Sequence, residues 1–248
     1  MKRKRPYGLQ HIRRMVKAKV GQVLDRGLFT VTGDIAIKVS HLLGTRVVTC
    51  LTTADDFDAK YGTDTSGIVQ PWNLDIPEHA VSQAIQYATA HVTTVDELLA
   101  SLDIKHEEYS FIDLGSGKGR ALLLASRFPF RQIIGVELSA QLRETSHVNI
   151  ARFKANWQQC TNIRALCENA TEFSFPAGNI VLYLFNPFGA ETLRAVVSNL
   201  EAAIHETPAR IYVIYVKPVH RRVFEESKRF KIFRAIGHNL IYSSDIPS

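Results

Sequence analysis

Cysteine is scarce in this chain, and the scarcity excludes two classes of scaffold. Cys50, Cys160 and Cys167 are odd in number and are not set at a close metal-ligand spacing, which argues against a disulfide-stapled fold and against a thiolate zinc site. A reducing, cytoplasmic compartment is the expectation. Long apolar runs are missing too: none approaches the ~20 residues needed to cross a bilayer. The basic start is not followed by the uninterrupted apolar core of a secretion signal. Acid is absent from the first 24 residues, and neither an internal repeat nor a low-complexity tract occurs anywhere.

What is present is ordinary in bulk and uneven in distribution. Hydrophobic residues make up 46% and charged residues 22% of the 248, as in a globular protein long enough for one large domain with an appendage or for two small ones. The formal charge of +6 owes much to Lys2, Arg3, Lys4, Arg5, Arg13, Arg14, Lys17 and Lys19. Such a head attracts nucleic acid, an anionic membrane or an acidic protein, or is simply a solvated terminus or an organelle address. Ile12, Met15, Val16, Val20, Val23 and Leu24 fall on one face at helical spacing, which fits core docking better than a membrane surface.

From residue 111 onward, short apolar runs alternate with amphipathic stretches. Strands are expected in YSFIDLG, RQIIGVEL, IRALCEN, NIVLYLFN and RIYVIYV, and helices in GKGRALLLASRF, SAQLRETSHVNIARFKANW, AETLRAVVSNLEAAIHE and HRRVFEESKR. Near-continuous apolar strands between helices imply an α/β, doubly wound, mostly parallel sheet. FKIFRAIG and NLIYSSD, separated by Gly237 and His238, read as an antiparallel C-terminal hairpin. The expected division is a basic, helical N-terminal extension and cover over residues 1–104, then the sheet domain over 105–248. Within the extension, TCLTTADDFDAKYGTDTSGIVQPWNLDIP reads as a long loop suited to a lid. EHAVSQAIQYATAHVTTVDELLASL reads as one or two helices.

FIDLGSGKGR, Phe111 to Arg120, places three glycines directly after a strand. A phosphate-binding loop needs Ser or Thr after Gly117-Lys118 and a glycine at position 112; Gly119 and Ile112 stand there. A dinucleotide fingerprint needs glycine at position 120, where Arg stands. What remains is D-x-G-x-G-x-G, with Asp113 at the strand end and Gly115, Gly117 and Gly119 after it. Lys118 and Arg120 are expected to project from the loop and helix start.

This pattern resembles motif I of the class I, seven-strand S-adenosylmethionine-dependent methyltransferases. DLGSGKGR is similar to the loop of protein-lysine members of the Dot1 type and their relatives. The resemblance spans about residues 105–245 and implies a seven-stranded sheet, no metal, and S-adenosylmethionine as cofactor. It places the cofactor against Asp113, Gly115, Ser116, Gly117 and Gly119. Glu137, 24 residues after Asp113, grips the ribose hydroxyls, with Leu138 beside it. Asn169 and Ala170, in CENATEF, fall where an acid often meets the adenine amino group, and Glu168 is the substitute. Asn186-Pro187-Phe188 is similar to the Asn-Pro-Pro-Tyr/Phe motif of amide- and base-methylating enzymes, with one proline missing. Asn186 accordingly contacts the cofactor and positions the acceptor, with Phe188 as the wall. Tyr87 and Thr89 fall where related enzymes cover the methionine end, although mid-helix packing explains them slightly better.

The function implied is methyl transfer to nitrogen, with a protein lysine favoured as acceptor and a nucleic acid or small molecule as the alternative. In that alternative the basic head holds phosphate. An NAD-dependent oxidoreductase and a non-catalytic binding module are the readings from other classes. Tyr183 and Tyr215 read as sheet core, His220 and Lys217 as strand-end residues without an assigned role, and Tyr61 and Trp72 as flanks of a closing loop. The residues leave the oligomeric state open.

Overall fold

The computed structural model describes residues 56–244. The basic head, the amphipathic stretch from Ile12 to Leu24 and Cys50 lie outside the described residues. Elements run in the order α1 (Asp56–Tyr61), β1 (Ile68–Val69), α2 (Glu78–Val81), β2 (Tyr87–Ala88), α3 (Val92–Ala100), β3 (Tyr109–Leu114), α4 (Arg120–Ala125), β4 (Gln132–Glu137), α5 (Ala140–Arg152), β5 (Ile163–Cys167), β6 (Asn179–Leu184), α6 (Ala190–Glu206), β7 (Ile211–Tyr215), α7 (Arg222–Glu225), β8 (Phe230–Ile236) and β9 (Asn239–Ser244).

Seven strands form one sheet in the order β5-β4-β3-β6-β7-β9-β8. The first five are parallel, and β9 runs antiparallel to both β7 and β8. The doubly wound sheet with an antiparallel C-terminal hairpin is therefore present, closed at Gly237 with φ +56°. Alternate residues of each strand serve opposite faces. Phe111, Tyr183 and Ile214 pack with Leu98 and Leu99 of α3 and Leu122 to Ala125 of α4. Ile112, Leu182 and Val213 pack with Leu193, Val196, Leu200 and Ile204 of α6. Those four sit three or four residues apart, which puts one stripe of the 17-residue helix against the sheet. Strand order reverses between β3 and β6, and the crevice at the carboxyl ends of such neighbours is where open α/β sheets hold ligands.

The segment before the sheet departs from expectation. Residues 49–77, read as a long loop, contain α1, β1 and a 3-10 turn at Pro71–Asn73 within their described part. Aromatic packing explains α1: Phe57 is buried and Tyr61 lies 4.9 Å from the Phe153 ring. Residues 78–102, read as one or two helices, hold the short α2, then β2 paired antiparallel with β1, then α3. Tyr87 is thus a strand residue and Thr89 follows the strand, because pairing with Ile68 and Val69 overrides local helix propensity. The helix after the glycine loop is also shorter than expected. It begins only at Arg120, because Gly119 holds φ +86°.

Candidate functional site

β3 delivers Asp113 to the crevice, and the chain then turns back under β4: the amides of Gly115 and Ser116 both donate to the Val136 carbonyl, at 2.8 and 3.1 Å. Gly115, at φ +77°, has no room for a side chain, since a Cβ would lie 2.6 Å from Cβ of Pro187. A Cβ on Gly117, at φ +52°, would enter the ring of Tyr87. The glycines therefore let two other segments of the protein press onto the loop.

Glu137, at the end of β4, takes one backbone N–H on each carboxylate oxygen, from Gly117 at 2.9 Å and from Ser139 at 2.9 Å. Burial raises its pKa, and the bonds from Ser139 and Gly117 pull the other way. Asp113 is 3% exposed. Burial first, and the charge of Glu137 second, push its carboxyl well above the ordinary range. Burial likewise raises the Tyr183 hydroxyl, with Asp113 adding to the effect. Two carboxyl groups thus face one partly enclosed space.

That space is a cavity of about 650 Å³, within the size range of small-molecule sites. Among the expected cofactor residues, Asp113, Gly115, Ser116, Glu137, Leu138, Asn169, Ala170 and Tyr87 line it, and so does Phe188. The Ser116 hydroxyl is buried against Gly135 of β4, without a hydrogen-bond partner among the described residues. Gly117, Gly119, Thr89 and Asn186 are not in the lining. Gly117 lies behind the Tyr87 ring, Gly119 packs against Ser146, and Thr89 donates to the Thr65 carbonyl at 3.2 Å. Asn169 caps its own turn: its carbonyl oxygen accepts from Thr171 N at 3.1 Å and its amide donates to Glu172 at 3.2 Å.

Asn186, at φ +43°, accepts from the Tyr215 hydroxyl at 3.3 Å, and that hydroxyl in turn accepts from His220 N at 3.3 Å. Tyr215 is core by burial, yet its hydroxyl ties the loop after β7 to the end of β6. Beyond Asn186 the chain is covered. Ile85 N donates to the Pro187 carbonyl at 3.3 Å, and Gly189 N donates to the Gln83 carbonyl at 2.8 Å.

Lys118 and Arg120 do not project. They are 8% and 2% exposed and hold the segment before the sheet in place. The Lys118 ammonium reaches Asp64 at 2.7 Å and the Ser66 carbonyl at 2.9 Å. Arg120 pairs with Asp58 at 3.3 Å, donates to the Thr65 and Ser66 hydroxyls and stacks over the Phe57 ring at 4.2 Å. Burial alone would raise the Asp58 carboxyl, but hydrogen bonds from Ser66, Thr63 and Thr65 outweigh it and hold the pKa at about 2. Asn149 completes the clamp by bonding the Asp64 backbone on both sides. Thr65, so fixed, accepts the Tyr87 hydroxyl at 2.6 Å, which seats that ring over Gly117. Farther along the same segment, Asp75 takes the Ser139 hydroxyl and the Gln141 amide at the start of α5.

Sequence reasoning missed this clamp. Its signal was the hydroxyl-rich, acidic DAKYGTDTSG, complementary in charge to Lys118 and Arg120, but 52 to 62 residues of chain separate the partners. Of the expected lid flanks, Tyr61 is half-buried against the core and accepts from Trp157 Nε1 at 2.9 Å, while Trp72 is 57% exposed.

No family model matches the chain, and no curated protein matches it. Among solved structures, a predicted N6-adenine-specific DNA methylase from Listeria monocytogenes is similar over 64% of this chain and 52% of its own, at 16% identity and a TM-score of 0.48. The chain thus spans about half the length of that protein. The ribosomal protein L11 methylase of Lactobacillus delbrueckii subsp. bulgaricus is similar over 63% of this chain and 79% of its own, at 14% identity and 0.43. An RNA methyltransferase from Salinibacter ruber, solved with S-adenosyl-L-homocysteine, is similar over 64% and 94%, at 16% identity and 0.40.

Proposed function

We propose that the protein is an S-adenosylmethionine-dependent methyltransferase whose cofactor occupies the cavity between Asp113, Glu137 and the Tyr87 roof. The observation that carries this reading is the pairing of the Gly115–Gly119 loop with Glu137, which lines a cavity at the switch point of a seven-strand sheet. Residues of the site fit the cofactor. Each Glu137 oxygen has one backbone N–H and a remaining lone pair, so the carboxylate can take two adjacent ribose hydroxyls. The apolar Val136, Leu138 and Ala170 supply a surface for a flat ring. With Asn169 occupied by its own turn, the exposed Glu168, also in the lining, is the better partner for an adenine amino group.

When bound, the cofactor supplies a methyl group already activated by its sulfonium, so the residues' work is orientation and exclusion of water. Tyr87, held by Thr65, closes one side, and Phe185, Pro187 and Phe188 wall the other. Asn186, held by the Tyr215 hydroxyl outside the lining, braces Pro187 and Phe188 of that wall, against which the acceptor nitrogen is positioned. Gln83 to Ile85 lie across the approach and must yield to an acceptor.

For the acceptor, the loop resemblance favours a protein lysine, whereas the exposed cations between residues 217 and 234, in the stretch after β7 and on β8, favour a nucleic acid. The second argument rests on this chain's own residues and carries more weight. A cytoplasmic setting belongs to the same proposal, supported by the free thiols of Cys160 and Cys167. Among the described residues, no helix is long and apolar enough to cross a membrane.

The test is calorimetric titration with S-adenosylhomocysteine and with NAD, followed by tritiated S-adenosylmethionine incubated with a proteome lysate split into protease- and nuclease-treated fractions. Binding of S-adenosylhomocysteine with label transferred to either fraction supports the proposal. Binding of NAD alone sinks it.

A further inference from the structure

The whole-chain charge of +6 conceals a polarised molecule. Residues 56–216 carry twelve Lys and Arg against eighteen Asp and Glu. Residues 217–238 carry seven, Lys217, Arg221, Arg222, Lys228, Arg229, Lys231 and Arg234, against only Glu225 and Glu226. All of these cations except Arg229 are exposed. The body of the sheet domain is therefore acidic, and the stretch from the loop after β7 through β8 is basic.

The placement of these cations gives them meaning. Because β7 and β8 are both antiparallel to β9, they run in the same direction, and Tyr215 and Ile236 end at the same edge as the cavity. The loop carrying Lys217 and Arg221 starts there. Lys217 lies with its ammonium 5.0 Å over the ring of Phe185, a cavity wall, and His220 holds the Tyr215 hydroxyl that orients Asn186. From that edge the cations continue along β8, the outermost strand, whose seven residues span ~23 Å at 3.3 Å each. Exposed apolar groups are interleaved with them: Val219 at 67%, Ile232 at 54% and Phe233 at 42% exposed.

Charge on an exposed edge strand, lysine above all, also deters edge pairing, but that task does not account for Lys217, Arg221, Arg222 and Lys228, which precede β8. A strip of one sign, on a body of the opposite sign, selects a partner. From this we infer that the loop after β7 and the outer face of β8 form a nucleic-acid interface, which leads a phosphodiester strand to the cavity. A lysine-rich peptide is repelled there. Phosphates sit on the cations, and the half-exposed Phe233 ring, which packs edge-on against Tyr212 at 5.2 Å, offers a stacking surface that is tolerant of sequence. That the bound strand also supplies the methyl acceptor rests on the methyltransferase reading; the binding itself does not.

The full-length protein is titrated by fluorescence anisotropy with fluorescein-labelled single-stranded RNA, single-stranded DNA, their duplexes and a poly-glutamate peptide. Four phosphate contacts on a single strand predict about a 50-fold loss of affinity between 50 and 200 mM salt. Combined Arg221→Glu, Arg222→Glu and Lys228→Glu, all exposed, is expected to weaken binding at least tenfold and to flatten the salt slope by about two. S-adenosylhomocysteine affinity and the melting curve should stay as in wild type, which separates loss of the surface from loss of the fold. Preference for RNA over DNA, or the reverse, identifies which phosphodiester is bound. Affinity unchanged by the triple reversal assigns any binding to the basic head and overturns the inference, as does poly-glutamate binding as tightly as either nucleic acid. Nucleic-acid binding without S-adenosylhomocysteine binding leaves the interface standing and removes the methyltransferase proposal instead.

Discussion

Gly117→Ala separates a loop that directly contacts its ligand from a loop that seats a roof. The added methyl enters the Tyr87 ring, and φ at this position is +52°. Three costs follow. A left-handed alanine costs about 1–2 kcal/mol. Crowding in a packed site costs about 1–3 kcal/mol. If the ring moves, its hydrogen bond to the Thr65 carbonyl is lost, at about 1 kcal/mol. Together they amount to about 3–6 kcal/mol, which for a domain of this size lowers the melting temperature by roughly 6–24 °C. Displacement of Tyr87 also opens the cavity, so S-adenosylhomocysteine affinity falls. Tyr87→Ala in the same chain removes the clash and leaves only the backbone term. The two substitutions should therefore be coupled by about 1–3 kcal/mol, the double variant being less damaged than the sum of the singles. Thermal unfolding and calorimetric titration of the four proteins measure the cycle. Additivity within about 0.5 kcal/mol refutes the roof, since residues in contact do not add.

The Asp58 carboxyl, held at about 2 against ~3.9 in an unfolded chain, stabilises the fold fully above pH ~4 and loses that contribution as pH falls from ~4 towards ~2. Asp58→Asn should lower the melting temperature at pH 7 and remove this part of the acid slope; superimposable pH profiles would count against the clamp. Glu137→Gln should weaken S-adenosylhomocysteine roughly 10- to 100-fold, the worth of a hydrogen bond to a charged group, and an affinity within twofold of wild type contradicts its ribose role. Tyr215→Phe frees Asn186 while leaving the buried ring in place, so it should reduce kcat with cofactor affinity unchanged; a rise in KM for cofactor with constant kcat would speak against acceptor positioning.

The parallel sheet was legible because β3, β4, β6 and β7 are each a short, almost unbroken apolar run, and α6 repeats its apolar stripe every three or four residues. The hairpin was legible from Gly237. Asp113 and Glu137 could be placed because each stands at the end of such a strand. The segment 56–90 was not legible: its two-residue strands and its helices of four and six residues are too short to carry a period, and they exist through contacts with distant residues. Gln83 and Gly189 pair across more than a hundred positions, and nothing local to either announces it.

Sequence alone determined the fold class, the glycine loop and the second-strand acid, all set by local patterning in which backbone conformation and strand burial follow from nearby residues. Tertiary structure decided what the glycines make room for, namely Pro187 and the Tyr87 ring. It also reversed the expectation for Lys118 and Arg120, from projecting cations to buried anchors. The physical reason is that burying a charge is tolerable only with a partner, and the partners, Asp58 and Asp64, are brought within reach only when the chain before the sheet folds back over it.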